Sequence, residues 1–481
     1  MIELFSVLVP LAALIGLALG AVRARAAGLL LTVATLNVVV IGGASATRPP
    51  GATWIILGDF FIVDAMSRLF LLVINLVFFG VAAYIASRVR AEPSLRGALF
   101  RYAGFALVFL IACDLAVLSH HLVGLWIFLE ASTLAAVPLV THGRGEPARR
   151  AAWKYLLFSC VGLALAFLGF VCVSRATELS PTGPSTFFLD ELARAARAPD
   201  DAWRRLGLAL ILLGFGTKLG LAPMYSWLPD TYAEAPPATT ALLAGVQFNV
   251  ALVGVLRVLQ VFRATNESLV SGELLALGLA TMAVSAFNVI GAKSYKKLIA
   301  YAAINHGGVI AIGLGVGRDA AYGVVLYAVS NAFIKAILFL TAGKIRSYYR
   351  TEQISEVSGL VKDLPYSGVL FMVGTFALLG FPPFGSFLGE LMVMSSLVGA
   401  GHLTVFAAFS AILTISFVAT GRSIFPMIWG APKRKADWPS QSALSILPKL
   451  LLLGALVAMG LYLPAPVNNL FRKVAEGLSA P

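Results

Sequence analysis

Charge is what this sequence has least of. Only 12% of its 481 residues are Asp, Glu, Lys or Arg, against 59% hydrophobic, where soluble domains carry about 25% charged residues. No polar block is long enough to fold as a separate soluble domain. Cysteine and histidine are scarce as well, three and five residues. Cys113, Cys160 and Cys172 each sit inside an apolar run without C-x-x-C or Cys/His ligand spacing, and are expected to pack helices. His120 and His121 are adjacent at a helix boundary, where neighbouring side chains diverge, so no metal site is expected there. The chain shows no Ser/His/Asp grouping, no phosphate-binding glycine loop after a strand and no metal-ligand cluster. No catalytic centre and no cofactor are expected on it. Residues 1–3 lack the positive n-region of a signal peptide, and 3–21 are expected to be a retained helix despite the faintly cleavage-like Ala24-Arg25-Ala26.

What remains is apolar length. Mean hydropathy is +0.89, and stretches near or above eighteen residues, each able to cross a bilayer, recur throughout. Fourteen spans are expected: 3–21, 27–45, 60–87, 102–118, 122–141, 153–174, 206–224, 238–262, 273–291, 297–315, 321–342, 367–396, 404–427 and 444–463. The fold class expected is therefore all-α, a polytopic membrane protein. The formal charge of +13 does not point to nucleic acid, because the basic residues lie in short loops between spans. They divide roughly two to one between the two sides, which makes the richer side cytoplasmic and puts both termini outside the cell inner membrane. The longest loop, 175–205, is expected to carry an amphipathic helix near 187–198 at the membrane surface, and 431–443 forms a second polar loop.

Ionisable residues inside spans cost roughly 2.5–3.5 kcal/mol each at mid-helix. Five stand out here: Glu130 in the fifth span, Lys218 in the seventh, His306 in the tenth, Lys335 in the eleventh and Glu390 in the twelfth. A single Lys–Glu pair would be explained by pinning two helices, and a lone mid-helix His by packing. Five such residues on five helices, alternating in type, point to an ion path. Glycine and proline also interrupt two spans around their ionisable residue: Gly214, Gly216, Gly220 and Pro223 near Lys218, and Gly380, Pro382, Pro383, Gly385 and Gly389 near Glu390. With spans four to eight as one unit (102–262) and nine to thirteen as another (273–427), flanked by 1–101 and 444–481, each broken helix is fourth in its unit and the two run oppositely. That is the pattern of two inverted five-helix repeats around a mid-membrane ion site; ordinary proline kinks are the simpler alternative. Burial disfavours an ammonium and a nearby carboxylate favours it, while imidazole relays protons near neutral pH. A row of Lys, His, Lys and Glu with water between them is a proton wire.

The motifs GLWIFLEAST, Thr217-Lys218 through WLPDTYAEAP, KKLIAYAAINHGG, NAFIKAILFLTAGKI and FPPFGSFLGE carry a resemblance covering nearly the whole chain. It resembles the antiporter-like proton-conducting subunits shared by NADH:quinone oxidoreductase (its M, N and L components), Mrp-type antiporters (the D component) and membrane-bound hydrogenases, and most of all hydrogenase-4 component F. The resemblance implies that Glu130 is a coupling glutamate paired with Lys218, that His306 and Lys335 belong to a central hydrophilic axis, and that Glu390 ends the second half-channel. Asp230 and Glu234 match family residues and are expected just beyond the broken helix, as proton entry or loop caps. Two departures stand out. Asn249 replaces the family's usual eighth-span Lys, and Asn331 a His found four residues before the eleventh-span Lys.

The resemblance implies a proton-translocating subunit of a redox-driven complex of hydrogenase-4 or formate hydrogenlyase type, with other membrane subunits and peripheral oxidoreductase subunits as partners. One alternative is a subunit of a cation/proton antiporter or an inorganic-carbon transporter. Another, prompted by Asn249 and Asn331, is a non-conducting scaffold.

Overall fold

The computed structural model of the chain describes residues 4–18, 25–178, 187–195, 202–432 and 442–479. Its helices are α1 (Phe5–Ala18), α2 (Ala26–Thr47), α3 (Ala65–Ala91), α4 (Arg96–Leu118), α5 (Leu122–Thr141), α6 (Glu146–Glu178), α7 (Leu189–Ala195), α8 (Ala202–Leu219), α9 (Trp227–Glu234) and α10 (Pro237–Leu242). They continue as α11 (Phe248–Ile290), α12 (Tyr295–Val316), α13 (Ala321–Tyr349), α14 (Leu360–Asp363), α15 (Pro365–Leu378), α16 (Gly385–Gly399), α17 (Leu403–Trp429), α18 (Ala443–Leu461) and α19 (Ala465–Ser479).

Among the described residues, twelve helical stretches are long and apolar enough to cross a membrane. The chain is a multi-pass, helical membrane protein. Of the fourteen expected spans, the two outside these twelve are still helical. Within 3–21 the described helix is α1, and 367–396 is divided between α15 and α16, each too short alone. The expected third span, from 60, starts instead at Ala65. The residues before it form a two-stranded hairpin, β1 (Trp54–Ile56) on β2 (Phe61–Val63), with Ile55 opposite Ile62. Phe61, Ile62 and Val63 are as apolar as a span, so hydropathy alone could not separate them from it. The amphipathic element expected at 187–198 is α7, its last three residues lying outside the described ones, as do residues 433–441 of the second polar loop. The tail beyond 463 is a further helix, α19, burying Leu470, Phe471, Val474 and Leu478.

Local chemistry accounts for the helix starts. Asp64 caps α3 by accepting the Ser67 backbone N–H at 2.8 Å, which satisfies one of the donors a first turn leaves free. Proline opens α10 and α15, where its missing N–H costs nothing. Two helices approach at backbone distance through glycine. A Cβ on Gly214 of α8 would lie 2.6 Å from the Gly162 carbonyl oxygen of α6. Small residues permit that closeness between membrane helices, and it packs the stretch carrying Lys218 against α6.

Asp64 has a second partner that charge counting missed. Arg257 of α11, 2% exposed, grips it with Nη1–Oδ2 at 2.6 Å and Nη2–Oδ1 at 2.9 Å. This fork ties the N-terminal helices to α11. Burial alone pushes the Asp64 carboxyl up, but the Arg257 guanidinium and the Ser67 donors more than reverse this and hold it at about 2. Its stabilisation is complete above the ordinary carboxylate value of about 4 and is lost as pH falls towards 2. Arg257→Gln is expected to cost about 3–5 kcal/mol, read as a lowered thermal midpoint of the detergent-solubilised protein. Asp64→Asn with Arg257→Met should recover most of that loss, and a double variant no better than the single one would show that the pair is not the tie.

Candidate functional site

Two helix interruptions organise the polar interior, and both are built the same way. α8 ends with Gly220 at φ +72°, Leu221 N–H bonding the Gly216 carbonyl at 2.9 Å and Gly220 N–H the Thr217 carbonyl at 3.1 Å. α15 ends with Gly380 at φ +69°, Phe381 N–H bonding Phe376 O at 3.0 Å and Gly380 N–H bonding Ala377 O at 3.3 Å. Each is a left-handed glycine cap closing the last turn on itself. Side chains add further bonds at both breaks. Thr281 Oγ1 accepts the Ala222 N–H at 2.8 Å, Trp227 Nε1 donates to Thr217 O at 2.9 Å, and Ser386 Oγ donates to Ala377 O at 2.8 Å.

Lys218 lies two residues before the first glycine cap and is 3% exposed. Its Nζ donates to Thr133 Oγ1 at 2.5 Å and to Tyr155 Oη at 3.5 Å. Tyr155 in turn donates to Gln247 Oε1 at 2.8 Å, and Gln247 Nε2 donates to Ser132 Oγ at 3.1 Å. Glu130 is one turn from Thr133 on α5 and within electrostatic reach of Lys218, but the two make no direct ion pair. Glu130 Oε1 accepts from Cys160 Sγ at 3.1 Å, and its buried Oε2 has no partner. Cys160, expected only to pack, therefore holds the carboxylate.

His306, Lys335 and Glu390 form a second group near the other cap. His306 bonds the Leu378 backbone and, through Nδ1, the Tyr327 hydroxyl at 2.7 Å. Tyr327 lies between His306 and Glu390. A cavity of about 30 Å³ borders Asn305, His306, Tyr327 and Glu390, enough for a water. A larger one of about 210 Å³ runs from Glu390 along Leu391, Met394, Leu413 and Phe417. Lys335 Nζ sits 3.8 Å from the Phe248 ring centre, a cation–π contact. The two groups meet at a widened helical turn, Leu243–Gln247. Gln247, its last residue, reaches Tyr155, and Phe248, the next, reaches Lys335. Such turns recur at functional sites, and nothing in local propensity announced this one.

Asn249 and Asn331, the two departures, are buried. Asn249 Nδ2 donates to the Gly245 carbonyl at 2.8 Å and its Oδ1 has no partner. Neither amide atom of Asn331, one turn before Lys335, has a partner. Asp230 and Glu234 belong to neither group. They are not beyond the broken helix as expected but on its second segment, α9, because the chain re-forms a helix after Pro223. Asp230 bridges Lys154 at 2.8 Å and Lys297 at 3.1 Å, which joins α6 to α12. Glu234 ends α9 within electrostatic reach of Lys296. Lys296 is wholly buried on the Ala233 and Ala235 carbonyls. It escaped notice because its position next to a loop looked like topology.

The family described as NADH:quinone oxidoreductase/Mrp antiporter, TM, matches residues 119–416, from the start of α5 into α17. The chain belongs to this family. It is thus an antiporter-like membrane protein. It is 31% identical over 430 residues to a hydrogenase-4 component F homolog of Methylacidiphilum infernorum, covering 86% of this chain and 88% of that one. Its fold matches a chain of the archaeal membrane-bound sulfane sulfur reductase at TM-score 0.85 and 22% identity, covering 99% and 97% of the two chains. It also matches a chain of the Mrp complex from Dietzia sp. at 0.86 and 19%, covering 100% and 97%.

The first cap predicts its own test. Gly220→Ala puts a Cβ in the left-handed region, 2.6 Å from Leu228 Cδ1, and should cost about 1–2 kcal/mol in thermal unfolding. Gly104→Ala in α4, where a Cβ meets nothing within 4 Å, should be neutral or stabilising by up to about 1 kcal/mol. Equal effects from the two would mean that the break does not need its glycine.

Proposed function

We propose that this antiporter-like chain moves protons across the cell inner membrane as one subunit of a redox-driven complex of hydrogenase-4, formate hydrogenlyase or complex I-like type. The chemistry of oxidation and reduction belongs to partner subunits. The observation that carries this reading is how Lys218 is held. A fully buried amine faces the neutral hydroxyls of Thr133 and Tyr155, with a carboxylate near but not touching. Neutral oxygens tolerate either charge state of an amine. The state of Lys218 then depends on where the Glu130 carboxylate sits, and that carboxylate has one oxygen free of any partner. Swinging Glu130 towards Lys218 loads a proton, and swinging it away releases one.

The onward path runs from Gln247 by water past the Phe248 ring to Lys335, then His306, Tyr327 and Glu390, with the cavity beyond Glu390 as the exit. Water beside the partnerless atoms of Asn249 and Asn331 supplies what those amides cannot carry themselves. Asp230, held by two lysines, acts as a cap between α6 and α12. The matched geometry of the two caps supports the inverted repeats, 102–262 and 273–427. The loop charges support both termini facing outward.

The fold shared with an Mrp complex chain keeps a second reading in view, a subunit of a cation/proton antiporter, and the same wire serves both. Neighbouring genes separate them: nickel–iron hydrogenase subunits favour the first and small antiporter subunits the second. Lys218→Ala and Glu130→Ala are each expected to abolish proton movement by the assembled complex in proteoliposomes, while the complex still purifies intact. Full proton movement in both variants would leave only a scaffold.

A further inference from the structure

The N-terminal helices contain a buried acid that the axis above does not use. Asp114 of α4 is 0% exposed, as are Ser6 of α1, Asn37 of α2 and Asn75 of α3. The four side chains form a ladder across four helices. Asn37 Nδ2 donates to Asn75 Oδ1 at 2.9 Å and to the Ser6 carbonyl at 3.1 Å. Asn75 Nδ2 donates to Asp114 Oδ1 at 3.2 Å and Oδ2 at 3.4 Å, and the Ser6 hydroxyl bonds the same carboxyl. Among the described residues no Lys, Arg or His pairs with Asp114. Asn37 Oδ1 has no partner.

Polar side chains between membrane helices commonly serve as glue, and Ser6, Asn37 and Asn75 need no other explanation. Asp114 does. An asparagine there would make the same contacts without the risk of an uncompensated charge at bilayer depth. Ionisable residues kept in such places are functional by default. The neighbourhood also leads somewhere. Cys113, next in sequence, lies against Ser132 and within electrostatic reach of Lys218, and Ser132 belongs to the Gln247–Tyr155 chain that ends on the Lys218 amine.

We propose that Asp114 is a further proton-holding group, the acid end of a side branch from the N-terminal helices to Lys218. The inference rests on the proton-moving reading of Lys218. Asp114 rests as the neutral acid, its O–H directed at the Ser6 hydroxyl and its oxygens accepting from Asn75. When the Lys218 amine is free, one proton is relayed inward past Cys113, Ser132 and Tyr155 with water between them: the Asp114 O–H bond breaks, an N–H bond forms on Lys218, and a carboxylate and an ammonium remain at the two ends. Reloading of Asp114 resets the pair.

The test uses the complex purified with its native partners and reconstituted in liposomes. Asp114→Asn keeps the shape and loses the proton, whereas Asp114→Glu keeps the proton and strains the packing. The proposal expects Asp114→Asn to lose most proton movement and Asp114→Glu to retain the larger share. The reverse order, with the asparagine variant at wild-type rate, assigns Asp114 to packing and overturns it. Infrared difference spectra of wild type against Asp114→Asn should show a protonated carboxyl C=O band that shifts in D₂O, and a carboxylate band in its place overturns the resting state proposed. Should Asp114→Asn fail to assemble, Asn75→Ser provides the second variant. It removes a donor from the acid, and is expected to shift that same C=O band; an unmoved band overturns the assignment. Loss of transport in Lys218→Ala beside an unaffected Asp114→Asn would keep the axis and remove the branch, so the two readings fail separately.

Discussion

Hydrocarbon offers no partner to a backbone amide or carbonyl, so every interruption of a membrane helix obliges its neighbours to supply one. This chain interrupts itself at Gly220 and at Gly380, and much of the surrounding structure follows from that obligation. Thr281 is there for the Ala222 amide, Trp227 for the Thr217 carbonyl and Ser386 for the Ala377 carbonyl. The polar groups that satisfy the breaks also bring hydroxyls and amides to bilayer depth. Ionisable residues can then sit beside them at far lower cost than in a continuous helix. Lys218 and Glu390 flank the breaks for that reason. The same backbone opening that makes a buried charge tolerable makes room for the proton carrier it is proposed to be.

The two halves of the interior meet that requirement differently. Around Lys218 the protein supplies nearly everything: Thr133, Tyr155, Gln247 and Ser132 form a chain of hydrogen bonds through the amine. Around Lys335 and Glu390 it supplies little. Lys335 faces an aromatic ring, both amide atoms of Asn331 are without partners, and Glu390 Oε1 has none. Buried polar atoms in that state call for water, and the small cavity beside His306 has the size for it. On the proposed reading the first half is a fixed proton relay switched by a carboxylate. The second is a hydrated one, whose conduction depends on how many waters the asparagines hold.

Hydropathy made the spans legible, since a bilayer imposes length and apolarity on every one. Glycine and proline made the breaks legible, since they disfavour a continuous helix more than any other residues do. The five ionisable residues were visible because each stands alone in an apolar stretch beside a distinctive motif. The misses share a physical cause. Lys296 sits in a first turn and looks like a loop charge, yet is buried on backbone carbonyls. Arg257, Asp114 and Lys449 of α18 sit within spans but outside the motifs, and nothing local announces which helix face they take. Lys449 is 1% exposed with its Nζ free of partners. Asp230, expected just beyond the broken helix, lies on α9, because the chain resumes a helix after the break. Partnering across helices is a property of the packed bundle, and only the bundle reveals it.

The N-terminal helices then stand in a different light. Asp64 and Arg257 clamp α3 to α11 by a forked ion pair at one end of the bundle. The Ser6–Asn37–Asn75–Asp114 ladder joins α1 to α4 within it. If these helices served only to fill space, apolar packing would suffice, and a buried carboxyl would be a standing liability in a setting where removing one partner of a charge is strongly destabilising. The clamp fixes where α3 lies, α3 carries Asn75, and Asn75 holds the Asp114 carboxyl in place. A tie at the helix end thus positions an acid deep inside the bundle, next in sequence to Cys113, which is within electrostatic reach of the amine on which the proposed proton movement turns.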